Sequence, residues 1–181
     1  MGKKIEHITA DLQDFIENQK IFFVGTASRD GTVNVSPKGT DSLRVIGKNK
    51  IVWLNLTGSG NETAAHLIRN DRMTIMFCAF EGKPLILRLY GKAKIYHKRD
   101  SDFYKYISLF PENVGGRQII EMDVDLVQTS CGLAVPLMDF KEERTTLNTW
   151  AEKQGKDKIE EYWKNKNTTS IDGFETKILD D

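Results

Sequence analysis

Apolar positions change their spacing several times along this chain, and each change marks an element. Over residues 6–18, Ile8, Leu12, Phe15 and Ile16 recur at helical spacing behind Thr9, whose hydroxyl suits a helix cap. The stretch Ile21–Ala27 is instead β-branched and aromatic. Arg29-Asp30-Gly31 then turns the chain into Val33-Asn34-Val35, which predicts a hairpin. Further strands are expected near Leu43–Ile46, at Ile51–Leu56 after the turn Gly47–Lys50, at Met73–Phe80 and at Leu85–Tyr96. A short helix over 61–70 interrupts them. About six strands within the first hundred residues, with no long helical crossovers, predict an antiparallel barrel rather than a doubly wound sheet. Beyond them, Asp100–Leu109 reads as a helix ended by Pro111. Residues 118–134 contain at least one strand, and helices at 145–154 and 156–165 carry the apolar stripe Trp150, Ile159, Tyr162 and Trp163. No composition break or linker separates the halves. The expectation is one α+β domain over 1–181, with a core at about 10–135 and a helical C-terminal elaboration at about 136–181.

Composition narrows the partners. Lys plus Arg equals Asp plus Glu at 26 each, so net charge favours neither nucleic acid nor an anionic membrane. The apolar runs fall short of the ~20 residues a membrane helix needs, and the first fifteen residues lack the apolar segment of a secretory signal. Cys78 and Cys131 are isolated and read as two buried thiols of a reducing, cytoplasmic compartment. His7, His66 and His97 share no metal-ligand spacing and read as surface or half-buried residues, with a haem-ligating histidine left open.

Two segments can carry chemistry. Thr57-Gly58-Ser59-Gly60-Asn61-Glu62-Thr63 lies between a strand and a helix. Its glycines let backbone approach a ligand, hydroxyls at Thr57, Ser59 and Thr63 supply donors, and the helix start presents free amides. The same residues also fit an ordinary loop capped by Asn61. The second segment, Val33-Asn34-Val35-Ser36-Pro37-Lys38-Gly39, ends a strand in a proline. Ser36 and Lys38 alternate with Pro37 and so share a face. A hydroxyl and an ammonium there suit a phosphate or an electron-rich carbonyl, and suit a solvated strand end equally.

Taken together, the order strand, Ser36-Pro37-Lys38, strand, Asn55 through Arg72, then Leu89-Tyr90-Gly91-Lys92-Ala93 resembles the pyridoxamine 5′-phosphate oxidase-like superfamily of FMN-binding split barrels. The resemblance is good over roughly residues 10–100. Ser130–Met138 and Ser170-Ile171-Asp172-Gly173 extend it to a narrower subgroup. It implies a six-stranded antiparallel split β-barrel with peripheral helices and a homodimer that builds its FMN site from two chains. Ser36, Pro37 and Lys38 would run along the flavin, while Leu56, Thr57, Ser59, Asn61 and Thr63 would form the phosphate site. The strand at Leu85–Tyr96, read as a sheet edge, would help form the dimer contact, and the partner's segment at Val135-Pro136 would cover the flavin ring. Trp53, Trp150 and Trp163 read as core or interface aromatics, any of which could stack on an isoalloxazine ring, with Trp150 preferred.

The chain also departs from the family. Glu62-Thr63 stands where the pyridoxamine phosphate oxidases place an Arg-Lys pair, Leu85-Ile86 replaces Arg-Gln, and no basic cluster for a substrate phosphate stands in the C-terminal third. Glu62 is therefore expected to turn to solvent, with Lys38 and backbone amides carrying more of the phosphate charge. These departures argue against pyridoxamine phosphate as substrate. The functional expectation is an FMN-binding oxidoreductase that moves electrons between a nicotinamide or small organic donor and an unidentified acceptor. The alternative is a non-catalytic flavin, haem or deazaflavin carrier of the same fold.

Overall fold

A computed structural model describes residues 2–180. The chain runs β1 (Lys3–Ile5), α1 (Ala10–Asn18), β2 (Phe22–Thr26), β3 (Asn34–Lys38), β4 (Leu43–Gly47), β5 (Lys50–Leu56), α2 (Glu62–Arg69), β6 (Arg72–Cys78), β7 (Ile86–His97), α3 (Ser101–Ile107), β8 (Gly116–Ser130) and α4 (Thr146–Lys166). Thr9 caps α1 as its hydroxyl predicts, accepting from the Leu12 amide at 3.4 Å. Gly155, at φ 73°, breaks α4 where the pattern places a boundary between two helices. No helix of the described residues is long and apolar enough to cross a membrane.

All strand pairs are antiparallel and form one sheet of eight strands in the order β3-β2-β6-β7-β8-β5-β4, with β1 added on β8. Two expectations are corrected here. The sheet has eight strands, where a six-stranded barrel is expected: β8, fifteen residues long, joins the six of the first hundred residues, and β1 adds an eighth. β8 serves three partners. It pairs with β7 along one side, and on the other side β5 gives way to β1 beyond Asp123. The strand β7, expected at an edge, is central and bonded to both β6 and β8. Edge status depends on long-range pairing, to which local periodicity is blind.

The two ends of this path are consecutive in sequence. Seven strands laid flat at ~4.8 Å spacing would hold β3 and β4 about 29 Å apart, whereas the five steps from Lys38 to Leu43 reach at most about 18 Å. The sheet must curl. Its turn is tight: Thr40 and Asp41 adopt φ of 59° and 52°, and Arg44 grips the Asp41 carboxylate in a bidentate pair at 2.7 and 2.8 Å. Inside the curl, Val24, Ile75, Leu87, Leu89, Met122 and Val127 are wholly buried with Trp53 and Phe77 beneath α1. Each such side chain stabilises the fold by about 1.5–3 kcal/mol. A second cluster, Val52, Leu54 and Ile119 against Phe103, Tyr106 and Phe110, seats α3 on the other face. A third, Ala151, Ile159, Trp163 and Ile178, joins α4 to the C-terminal segment. Of the cysteines, Cys78 is buried, but Cys131 is exposed, correcting the expectation of two buried thiols.

Candidate functional site

A cavity of about 600 Å³ opens where β3, the end of β5, the loop Thr57–Asn61 and the start of α2 converge. Strand alternation puts one face of β3 toward it. Asn34, Ser36 and Lys38 are half-buried, while Val35 and Pro37 are exposed. Pro37 is tolerated because β3 is an edge strand, paired only to β2. Of the residues singled out in the sequence, Ser36, Pro37, Lys38, Leu56, Thr57, Ser59 and Thr63 all line this one cavity.

The others go elsewhere. Asn61 is buried behind the loop, where its amide donates to the Asn167 carbonyl at 3.4 Å, and it makes no side-chain cap for α2. Trp150 packs edge-on against Tyr162 and does not line the cavity. Val135 and Pro136 lie on the irregular segment after β8, outside the cavity of their own chain. Thr57 lines the wall, but its hydroxyl is already engaged. It donates to the Gly115 carbonyl at 2.7 Å and accepts from Trp163 Nε1 at 2.8 Å. Thr57 therefore braces the loop rather than offering its proton to a ligand.

Two cations dominate the electrostatics. Lys38 Nζ sits 5.1 Å from the Trp53 ring centroid. Burial first, and the charge of Arg117 second, push its pKa down from 10.5 to about 8. Arg117, at the start of β8, is 4% exposed and lines the same cavity. Burial pulls its guanidinium below the usual value, against the upward pull of Tyr162 and Glu62. Among the described residues neither cation has an ion-pair partner. Arg117 Nε and Ser36 Oγ are buried without any hydrogen-bond partner. Uncompensated buried charge is costly, and these donors together have the chemistry of an anion site. Glu62 is half-buried and does not turn away from the cavity as expected. It lines the cavity, and both its carboxylate oxygens accept from the Ile171 amide at 3.2 and 3.1 Å.

Arg117 lies one residue before the strand that the sequence predicts from Gln118, inside a β8 that begins at Gly116. The available signal was faint: one arginine between Gly115-Gly116 and an apolar run. Asn34 and Trp53 line the cavity as well, and so does Asn55, to which no local signal points. Among the described residues no cluster of His, Cys, Asp or Glu is arranged to hold a metal.

The fold recurs in solved structures. HupZ of Group A Streptococcus superimposes with a TM-score of 0.52 at 21% identity, covering 66% of this chain and 91% of that one. A candidate pyridoxamine 5′-phosphate oxidase of Lactobacillus delbrueckii gives 0.54 at 14% identity, covering 68% and 94%. Among curated proteins, the pyridoxamine 5′-phosphate oxidase family protein ustO of Aspergillus flavus is 38% identical over 140 residues, or 75% of this chain. The chain spans about 56% of that relative's length. The family model described as pyridoxamine 5′-phosphate oxidase matches residues 8–131, from the helix before β2 through the end of β8. That match takes in Lys38, the Thr57–Thr63 loop and Arg117, so the chain that builds this cationic cavity belongs to the pyridoxamine 5′-phosphate oxidase family.

Proposed function

We propose that this protein is an FMN-binding flavoprotein of the split-barrel type. On this reading it transfers electrons between a nicotinamide or small organic donor and an acceptor, as a homodimer. The observation that carries the reading is a pair of cations without ion-pair partners among the described residues, half-buried Lys38 and buried Arg117, facing one cavity. A bound FMN phosphate would supply negative charge there. Lys38 and Arg117 would hold it with the hydroxyls of Ser36 and Thr63. Thr63 Oγ1 accepts from Asn34 Nδ2 at 3.4 Å, which leaves its proton for the ligand. The cavity volume falls within the ~300–1,000 Å³ of cofactor sites. Bound flavin would supply the two-electron redox chemistry, leaving the chain to bind, orient and shield. Trp53, carrying Lys38 over its face, keeps the ammonium from water and fixes where it can point.

The homodimer reading has its own support. Leu133, Leu137, Met138 and Phe140 follow β8 with exposures of 78, 78, 53 and 46%, and Val33 and Val35 flank the cavity at 69 and 66%. An apolar arm and an apolar edge strand of this kind suit burial against a second copy. The arm carries Val135 and Pro136, so the covering role expected of them belongs to the partner's site.

The test is flavin titration of ligand-free protein, followed by fluorescence, with FMN and riboflavin side by side. Tighter binding of FMN by about ten- to hundred-fold is expected, the worth of a charge-assisted phosphate contact. Light scattering on the same sample should give a dimer. Equal affinities for the two flavins, or none for either, would reject the reading.

A further inference from the structure

We propose that Asn167, just beyond α4, is a positioning residue that holds the Arg117 guanidinium in the anion site without neutralising it. The inference rests on the anion-site reading above, and it concerns a residue well outside the stretch 8–131 that defines the family match.

Asn167 is completely buried and joins four parts of the site. Its Oδ1 accepts from Arg117 Nη1 at 2.7 Å. Its Nδ2 donates to the Gly58 carbonyl at 3.1 Å, inside the candidate phosphate loop. Its main-chain carbonyl accepts from Asn61 Nδ2 at 3.4 Å and from the Thr176 hydroxyl, and its amide closes α4 on the Trp163 carbonyl at 2.8 Å. The segment that carries it is tied down on both sides of the cavity. The Ile171 amide donates to Glu62, and Asp172 accepts from the Thr32 amide at 2.8 Å and the Thr32 hydroxyl at 2.6 Å. Asn167 is thus a fixed post.

The chemistry of the post is what matters. A carboxylate 2.7 Å from a buried guanidinium would complete an ion pair and compete with any incoming anion. An amide oxygen accepts the same hydrogen bond and leaves the positive charge in place. Only Nη1 is occupied by the tether, and Nε has no partner. A long, rotamer-rich side chain is therefore ordered before the ligand arrives, and that lowers the entropic cost of binding. The same amide sets the Gly58 carbonyl, so one residue fixes both the cation and the loop opposite it.

The test compares wild type, Asn167→Asp and Asn167→Ala by titration with FMN and with riboflavin at low and high salt. Wild type should prefer FMN. Asn167→Asp should weaken FMN by about ten- to hundred-fold and leave riboflavin unchanged, with the deficit shrinking at high salt. Asn167→Ala, which frees the guanidinium but adds no charge, should lower the FMN-to-riboflavin ratio less. A purely structural role would weaken both flavins in parallel in both variants, and that result overturns the inference. If Asn167→Asp fails to fold, Asn167→Ala decides: a lowered ratio supports the inference and an unchanged ratio rejects it. A wild type that binds the two flavins equally removes the anion-site reading and the inference with it.

Discussion

Raising the pH should weaken the anion site, and Lys38 sets the size of the effect. Its ammonium is buried over Trp53 beside Arg117, with no carboxylate paired to it among the described residues. With a pKa of about 8, it is about 90% protonated at pH 7 and about 10% at pH 9. An anion beside it favours the charged form, so binding at high pH must first take up a proton. The affinity then follows the protonated fraction of the free site and should fall about tenfold between pH 7 and pH 9. The ceiling is the whole worth of the contact, about 1.5–3 kcal/mol, or ten- to hundred-fold in affinity. The assay is the FMN-to-riboflavin affinity ratio between pH 6 and 9.5, because riboflavin shares the ring and lacks the phosphate. Lys38→Ala should lower the ratio at pH 7 and flatten its pH dependence. A flat ratio in wild type, or the same slope in Lys38→Ala, refutes the argument. The stability of the ligand-free protein carries the opposite sign. The folded pKa lies below the ordinary 10.5, so the unfolded chain holds more protons between about 8 and 10.5, and stability rises with pH through that window. Lys38→Met should remove that rise.

Two further predictions concern the frame. Gly91 lies at the register shift between β7 and β8, where an added Cβ would sit 1.9 Å from the Asp123 carbonyl oxygen. Gly91→Ala must therefore separate the two central strands, and the variant should lose its cooperative thermal transition by circular dichroism. Glu121 is 6% exposed and relies on the Tyr106 hydroxyl and on Lys50 Nζ. Tyr106→Phe deletes one of these donors at no cost in shape, so urea denaturation should show a loss of about 1–3 kcal/mol with an unchanged m value.

The legible parts of this protein were those fixed by local chemistry. A β-branched run, an Asp-Gly turn and a strand-ending proline identified the hairpin of β2 and β3 and placed Ser36 and Lys38 on one face, as the structure has them. The Gly-rich loop before α2 was found by the same means. What escaped depended on distant partners. β1 is three residues long and exists only because β8 offers a free side there. The hydroxyl of Thr57 suits a ligand donor in the sequence, but in the fold Gly115 and Trp163 engage it. Arg117 carries no motif at all.

On the proposed reading, Arg117 would stand in for the family's absent basic pair. With Glu62-Thr63 in those positions, a local reading finds an acidic phosphate loop. Charge at a site is summed in space, and the fold brings the guanidinium of β8 to the same cavity from fifty-five positions further along the chain. Two cations against the one Glu62 carboxylate leave a single net positive charge, and Glu62 is occupied by the Ile171 amide. Tying that carboxylate to the C-terminal segment converts a liability of the loop into an anchor. The segment so anchored is the one that brings Asn167 to Arg117. Glu62, which weakens the motif, and Arg117, which would replace its charge, are thus both bonded to the same stretch of chain.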